Sequence, residues 1–293
     1  MTNNADIDIS HPDKRIFPAD KLTKQHVVDY YRKIAPTILP HLKDRPLTLR
    51  SFPDGIEQDG FFQKRAPDHF PDYIKRLDVP LRSEAGESIE MAIADKEKDL
   101  VYLANQNVVE LHLALSTGKA LDSPDQMIFD LDPSDDDFEK VRELAFELGS
   151  LLEGYKLPCF VKTTGSRGVH VHVPLRRDAG FERVKPIARQ LAEELLDNCP
   201  TIATLEHRKQ KRGDRVFIDY LRNDYGMTAI APYSLRALKG APVATPISWD
   251  ELGSRNTGPQ SWGLKNIFRR LGAKEDPWAG FNRRRASLAR FEP

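Results

Sequence analysis

Residues 126–132 read Gln-Met-Ile-Phe-Asp-Leu-Asp, with Pro133 and Ser134 directly after them. The run is apolar apart from its polar first residue and its two acids, and it has the length and closing turn of a strand. In a strand, positions two apart point to one face, about 7 Å from each other. Asp130 and Asp132 therefore project together, while Phe129 and Leu131 face a core. Two carboxylates on one face repel unless a proton or a cation relieves them. Where they end a strand at a proline turn, Mg²⁺ or Mn²⁺ suits them better than a shared proton. A solvent-facing strand end is the plainer alternative. Ser134 is expected to cap a helix over about 135–153.

Working outward, CFVKTT (159–164) and GVHVHVPL (168–175) read as strands, the second alternating strictly. Further strands are expected at 215–221 and 228–232, and helices at 181–198 and about 262–272. Towards the N-terminus, 24–35 reads as an amphipathic helix capped by Thr23 and closed or kinked by Pro36. Strands follow at 46–52, 60–64, 88–94 and 109–116, with a short helix at 99–106. The Pro-, Asp- and Gly-containing stretch 65–87 reads as long surface loops. Strands and helices without regular βαβ alternation predict an α+β fold rather than a doubly wound sheet. There is no repeat, no low-complexity tract and no composition break that marks a domain boundary.

Other residues join the two acids. Asp219 is the one charge inside Val216-Phe-Ile-Asp-Tyr220, and an acid in that setting needs an arginine or a metal. With Asp130 and Asp132 it would complete a site able to hold two metal ions around a phosphoryl centre. The run from Lys162 to His172 places Thr163, Thr164, Ser166, Lys162 and Arg167 around Gly165 and Gly168, which suits a triphosphate and equally suits a hairpin turn. His170 and His172 share a strand face, but zinc needs two more ligands and neither Cys159 nor Cys199 is well placed. His112 shares a strand face with Glu110, as a half-buried packing residue would. Lys14, Arg15, Lys21 and Lys24 lie near a helix start, where anions are favoured, though solvated lysines are the commoner outcome. Phe61 and Phe62 before Lys64 and Arg65 resemble a single-strand stacking platform, against ordinary packing as the alternative.

The 293 residues suffice for one large domain or two small ones. With 30% charged and 40% hydrophobic residues, no ~20-residue apolar run and no signal-like N-terminus, a globular chain of the reducing cytosol is expected, without a membrane partner. Two cysteines exclude a disulfide framework or a cysteine-rich zinc module. The 44 acids and 44 bases cancel, but residues 77–153 carry 19 acids against 6 bases, so basic arms flank an acidic middle. Such asymmetry suits cations held in one place and phosphates in another, although charge runs are most often solvated faces.

The motifs HPDK (11–14), RPLTLRSFPDG (45–55), FFQK (61–64), IFDLDPSD (128–135), KTTGSRGVHVHVPL (162–175), FIDYLRN (217–223), TAIAPYSLRA (228–237) and GAPVATPISWDEL (240–252) occur in one order. In that order they resemble the polymerase domain of bacterial ligase D, a branch of the archaeo-eukaryotic primase superfamily used in non-homologous end joining. The likeness runs from about residue 10 to 275. It implies a primase-polymerase catalytic core (about 106–275) with an RRM-like mixed sheet and an N-terminal α/β module (about 10–105), leaving 276–293 as a basic tail.

On that resemblance Asp130, Asp132 and Asp219 are the catalytic acids, holding two Mn²⁺ or Mg²⁺ ions, with no zinc. Lys162, Thr164, Ser166, Arg167, His170 and Arg236 would meet the triphosphate of an NTP or dNTP, and His112 the nucleotide near its sugar. Lys14 and Lys24 would hold the 5′-phosphate of a DNA end or gap, and Phe61, Phe62 and Lys64 the template. The implied activity is gap filling and end extension, ribonucleotides preferred, at double-strand breaks. The implied partners are bacterial Ku and ligase and nuclease activities on the same or another chain, close to the nucleoid. Two rivals are a non-catalytic end-binding module and a haloacid-dehalogenase-type phosphatase. In the latter Asp130 would be phosphorylated, but its later acidic pair is not found.

Overall fold

The computed structural model describes residues 7–82 and 86–291, so the first six residues, 83–85 of the expected loop and the last two lie outside the description. Contacts group the chain into two compact units, one of 1–113 with 230–242 and the other of 114–229 with 243–293.

The first unit opens with a small ribbon, β1 (Arg15–Phe17) with β2 (Leu22–Thr23), and the long helix α1 (Lys24–Leu42). Thr23 is the N-cap, its backbone N–H donating to Nδ1 of His26. The expectation that Pro36 closes this helix is corrected: α1 runs through Pro36 and Pro40 to Leu42. Each proline removes one helical hydrogen bond, but Ile34, Ala35, Ile38 and Leu42 are buried along one face and hold the second half in place. The sheet consists of β3 (Leu47–Ser51), β4 (Phe61–Gln63), β5 (Lys75–Pro80), β6 (Ser88–Ile93) and, after helix α2 (Glu97–Asn105), β7 (Val108–Ala114). A later strand, β13 (Thr228–Ile230), joins the edge, so the order is β13-β7-β3-β6-β5 with β4 also on β3, and β3 pairs antiparallel with β4, β6 and β7, as β5 does with β6. Strand β5 lies inside the stretch read as loop. Its residues KRLDVP lack apolar alternation because it is an exposed edge strand with only Val79 buried.

The second unit carries β8 (Gln126–Pro133), α3 (Phe138–Gly154), β9 (Phe160–Thr163), β10 (Val169–Pro174), α4 (Phe181–Asn198), β11 (Ala203–Thr204) and β12 (Val216–Asp219). After β13 (Thr228–Ile230) and the return from the first unit come β14 (Pro246–Ile247), α5 (Trp249–Gly253) and α6 (Ile267–Ala273). Six strands form one mixed sheet in the order β11-β12-β8-β10-β9-β14, parallel only between β11 and β12. Met127, Phe129 and Leu131 of β8, the three valines of β10, and Val216 and Ile218 of β12 face α3 and α4 in one apolar core. The α+β reading holds. Helix α3 starts later than expected: Asp137, not Ser134, caps it by accepting from the N–H of Glu139, while the Ser134 hydroxyl donates to the carbonyl of Arg215.

Residues 276–291 also carry buried anchors that their arginines conceal. Trp278 donates its indole N–H to the carbonyl of Val161 and stacks on Phe281, and Leu288 is fully buried.

Gly168 marks the tightest approach in the sheet, since a Cβ there would lie 1.9 Å from the carbonyl oxygen of Leu131. Because that obstacle is backbone, Gly168→Ala is expected to cost about 2–4 kcal/mol by forcing β10 from β8. A urea midpoint equal to that of the wild type would show that the strands can part freely.

Candidate active site

The second unit turns its acids to the sheet face opposite its helices. Pairing places Asp219 of β12 directly against Asp130 of β8, and His170 of β10 against Asp130 on the other side. Asp132 follows two residues on, so the three carboxylates gather on one face. Nε of Arg222 lies 2.9 Å from Oδ2 of Asp130 and 3.4 Å from Oδ2 of Asp219. Nη2 of Arg167 donates to Asp132 at 3.1 Å, and Nε2 of His170 lies 3.3 Å from Oδ2 of Asp130.

Burial opposes charge on Asp130, yet the groups beside it hold its carboxyl well below the usual range. His170 is buried, and with Lys162 nearby its pKa falls to about 4. It is therefore neutral at pH 7, and Arg222 supplies the positive charge that keeps Asp130 ionised. Asp132 is shifted upward by burial and by Asp130. Asp219 is shifted upward by burial against the pull of Arg222. Nδ1 of His170 is buried without a hydrogen-bond partner among the described residues.

The all-oxygen donor set suits a hard divalent cation. As placed, the arginines take the carboxylates, and among the described residues no three acids, histidines or cysteines stand in ready coordination. Chemistry and facing fit such an ion, with Arg222 serving as counter-charge.

The turn after β9 is built by its own residues. Gly165 takes a left-handed φ of +67°. The Thr164 hydroxyl donates to the carbonyl of Gly168 and accepts from the N–H of Ser166 and, at 3.3 Å, that of Gly168. Thr164 is thus buried and committed to the turn, Lys162 is fully buried, and Arg167 is exposed with Ser166 half-buried beside it. Asn223 spans the end of β8, accepting from the N–H of Ile128 and donating to its carbonyl, which positions Arg222.

In the first unit, Glu110 of β7 is buried and gathers donors: Nε2 of His112 at 3.0 Å, Nε of Arg236 at 3.2 Å, the N–H of Ala237 at 3.0 Å and Nη1 of Arg50 at 3.4 Å. The segment bearing Arg236 is fixed because the Ser234 hydroxyl accepts from the N–H of Leu111. Arg50 lies over the rings of Phe52 and Phe62, and Phe62 meets His112 edge-on at 5.4 Å. Phe61 is 46% exposed and Phe62 59%, so ordinary packing does not account for the pair; Lys64 is exposed beside them. Lys24 is buried, its ammonium donating to the carbonyl of Asn105 and to the Ser10 hydroxyl, while the half-exposed Lys14 lies 3.8 Å from Asp54. The backbone N–H of Lys24 donates to the carbonyl of Lys14, and residues 11–14 line a cavity of about 420 Å³.

Sequence reading passed over the two residues that organise these clusters. Arg222 stands three positions after Asp219, a visible signal, and Glu110 was noted only as a neighbour of His112.

Residues 23–278 match the family model for the LigD primase-polymerase domain. The chain is 33% identical over 290 residues to the multifunctional non-homologous end joining protein LigD of Pseudomonas aeruginosa, covering 97% of this chain and 34% of that protein. It is 31% identical over 247 residues to the protein of that name from Mycolicibacterium smegmatis, covering 83% and 32%. It is also 31% identical over 273 residues to the bifunctional LigD of Bacillus subtilis, covering 92% and 43%. The chain thus spans about a third to two fifths of these relatives. A solved polymerase domain of Mycobacterium tuberculosis ligase D in complex with DNA superposes with a TM-score of 0.87 at 27% identity, over 94% of this chain and 98% of that one.

Glu110 yields a pH signature. His112, Arg236 and the N–H of Ala237 outweigh its burial and hold its folded pKa below the ordinary 4.5. Its contribution to stability is fully present above pH 4.5 and is lost as the pH falls from there towards the folded value. Replacement by alanine is expected to cost about 3–5 kcal/mol at pH 7, because it strands buried cations. Urea titrations of wild type and Glu110→Gln at pH 7 and pH 4 check this, and the gap between them should narrow at the lower pH.

Proposed function

The chain belongs to the LigD primase-polymerase domain family, and from that premise we propose that it transfers nucleotides to the 3′ ends of broken or gapped DNA. The observation that carries the reading is the facing of Asp130, Asp132 and Asp219. Three carboxylates on one sheet face, opposite an apolar core, have no structural use that would justify their mutual repulsion. Their oxygens are assigned to two divalent ions, Mn²⁺ or Mg²⁺. Such ions, when bound, neutralise the triphosphate and favour the 3′-hydroxyl as an alkoxide.

The chain's own groups have separate tasks. Asp130 stays ionised at neutral pH because His170 and Arg222 stand against it and outweigh its burial. Arg167, exposed and held by Asp132, is able to exchange that carboxylate for a phosphate oxygen in a bidentate pair. Neutral His170 presents a ring beside Asp130 without adding charge, and Lys162 and Ser166 complete the phosphate-facing set with the turn shaped by Thr164. His112 and Arg236, both fixed by Glu110, are assigned to nucleotide binding in the first unit, with a ribonucleotide preferred. Phe61, Phe62 and Lys64 meet the template, the rings stacking on bases. Lys14 and Lys24 take the 5′-phosphate at a gap or end. Action in bacterial end joining, with Ku and with ligase and nuclease activities, completes the assignment. It places the protein in the cytoplasm close to the nucleoid. Among the described residues no helix is long and apolar enough to cross a membrane.

The test is extension of a labelled primer across a short 5′-phosphorylated gap with Mn²⁺. Wild type is expected to extend it, faster with ribonucleotides, and Asp130→Ala to fall below about a thousandth of that rate. Gap binding without extension by the wild type would leave an end-binding module in its place.

Lys14 and Lys24 need different handling, because removing the buried Lys24 ammonium also frees the carbonyl of Asn105. Lys14→Ala alone is expected to weaken binding to 5′-phosphorylated gaps roughly fivefold, about 1 kcal/mol for a partly exposed charged contact. An equal loss on 5′-hydroxyl gaps would make Lys14 a generic phosphate contact.

A further inference from the structure

At the far end of the second unit's sheet from the three acids lies a groove of about 520 Å³ whose charged lining residues are all basic. Pro174, at the end of β10, is four residues beyond His170, roughly 13 Å along the strand. From there Arg176, Lys156, Arg283, Arg284, Arg285 and Arg290 surround the groove, and no acid lines it. Arg285 donates to Asn282 and lies 3.7 Å from one acid, Asp125. The other five have no acid within ion-pair distance among the described residues.

These arginines do not hang on a loose end. The backbone of Ala286 bonds to the end of β10 and to the second residue beyond it, its N–H donating to the carbonyl of Pro174 and its carbonyl accepting from the N–H of Arg176. Arg183 donates to the carbonyls of Leu288 and Phe291, and Phe291 stacks on Tyr155. Pinning this many like charges side by side raises their mutual repulsion, which a bound polyanion relieves. Guanidinium forks match phosphate oxygens in geometry as well as charge.

A second feature adjoins the groove and shares Lys156 and Pro158 with it: a mostly apolar pocket of about 460 Å³. Its walls include Phe146, 38% exposed, and Trp249, whose rings lie 5.7 Å apart. Gly149 lets the Trp249 ring lie against α3, for a Cβ there would be 3.1 Å from it. An aromatic slot beside a row of phosphate-binding cations is what an unpaired base on a charged backbone requires, and a base inside a duplex cannot reach it.

We infer that this groove and pocket form a second nucleic-acid site, separate from the carboxylate cluster, that binds single-stranded DNA or RNA with phosphates along the arginines and a base against Phe146 and Trp249. It goes beyond the nucleotidyl-transfer reading, because it concerns a strand held away from the reacting end.

Binding of fluorescent oligothymidylate across a salt series, by the full chain and by Arg284→Glu/Arg290→Glu, tests it. The double variant is expected to bind at least about tenfold more weakly, with the slope of log K against log salt reduced by about 1.4. Cross-linking through 4-thiothymidine should label the peptide holding Phe146 or Trp249, and Phe146→Ala should remove that label while the thermal midpoint shows the fold intact. Unchanged oligothymidylate affinity in the double variant overturns the inference. So does an equal loss on a blunt duplex of the same length, or polyglutamate binding as tight as that of the oligonucleotide, which would mark a docking site for an acidic protein. Extension across a one-nucleotide gap should be unchanged in the double variant. Failure of this site and failure of the polymerase reading are therefore observed separately.

Discussion

Mutual repulsion among Asp130, Asp132 and Asp219 is the constraint around which the second unit is arranged. At ~5–7 Å and an effective dielectric of ~20, each neighbouring pair repels by about 2–3 kcal/mol. Arg222, reaching both Asp130 and Asp219, and Arg167, on Asp132, offset that cost. The sheet can hold the acids in place because its opposite face is wholly apolar against α3 and α4. Asn223 ties Arg222 to the end of β8, so the counter-charge is fixed by backbone bonds rather than by a mobile side chain alone. Phosphate and metal chemistry needs acids that stay charged yet can change partners. An arginine pair that is strong but exposed on one side satisfies both conditions.

The first unit uses the inverse arrangement. One buried acid, Glu110, collects Arg236, His112 and Arg50, and through Arg50 it orders the exposed ring of Phe62. Three basic side chains and an exposed ring are thereby held in place by the fold itself. Conformation and charge are coupled here, for protonating Glu110 would release all of these groups together.

Much of this was legible in the residues. Strict alternation in GVHVHVPL placed the valines in the core and the histidines on the other face, where Val171 is buried against the helices and His170 lies beside Asp130. The acids stood out because a charge within an apolar strand has few explanations. What escaped notice had weak local signals. Strand β5 has one buried apolar side chain, so period two never appears in KRLDVP. Ser134 looked like a cap because the chain turns there, but its hydroxyl found the carbonyl of Arg215 and left the cap to Asp137. Pro36 looked like a stop, yet tertiary burial of the residues around it exceeded the local cost. Trp278 and Leu288 were hidden by the arginines between and beside them.

The amino-acid order by itself determined which residues are apolar in period, which acids stand inside strands, and hence an α+β fold with a carboxylate face. These are local properties, set by side-chain chemistry and by the two-residue repeat of a strand. Only the tertiary structure decided which charges meet. Arg222 pairs with Asp130 from 92 positions away, and Glu110 with Arg236 from 126. The basic groove likewise exists because Ala286 lies against β10. Electrostatic energy depends on distance in space, and chain folding sets that distance through long-range pairing that no single segment encodes.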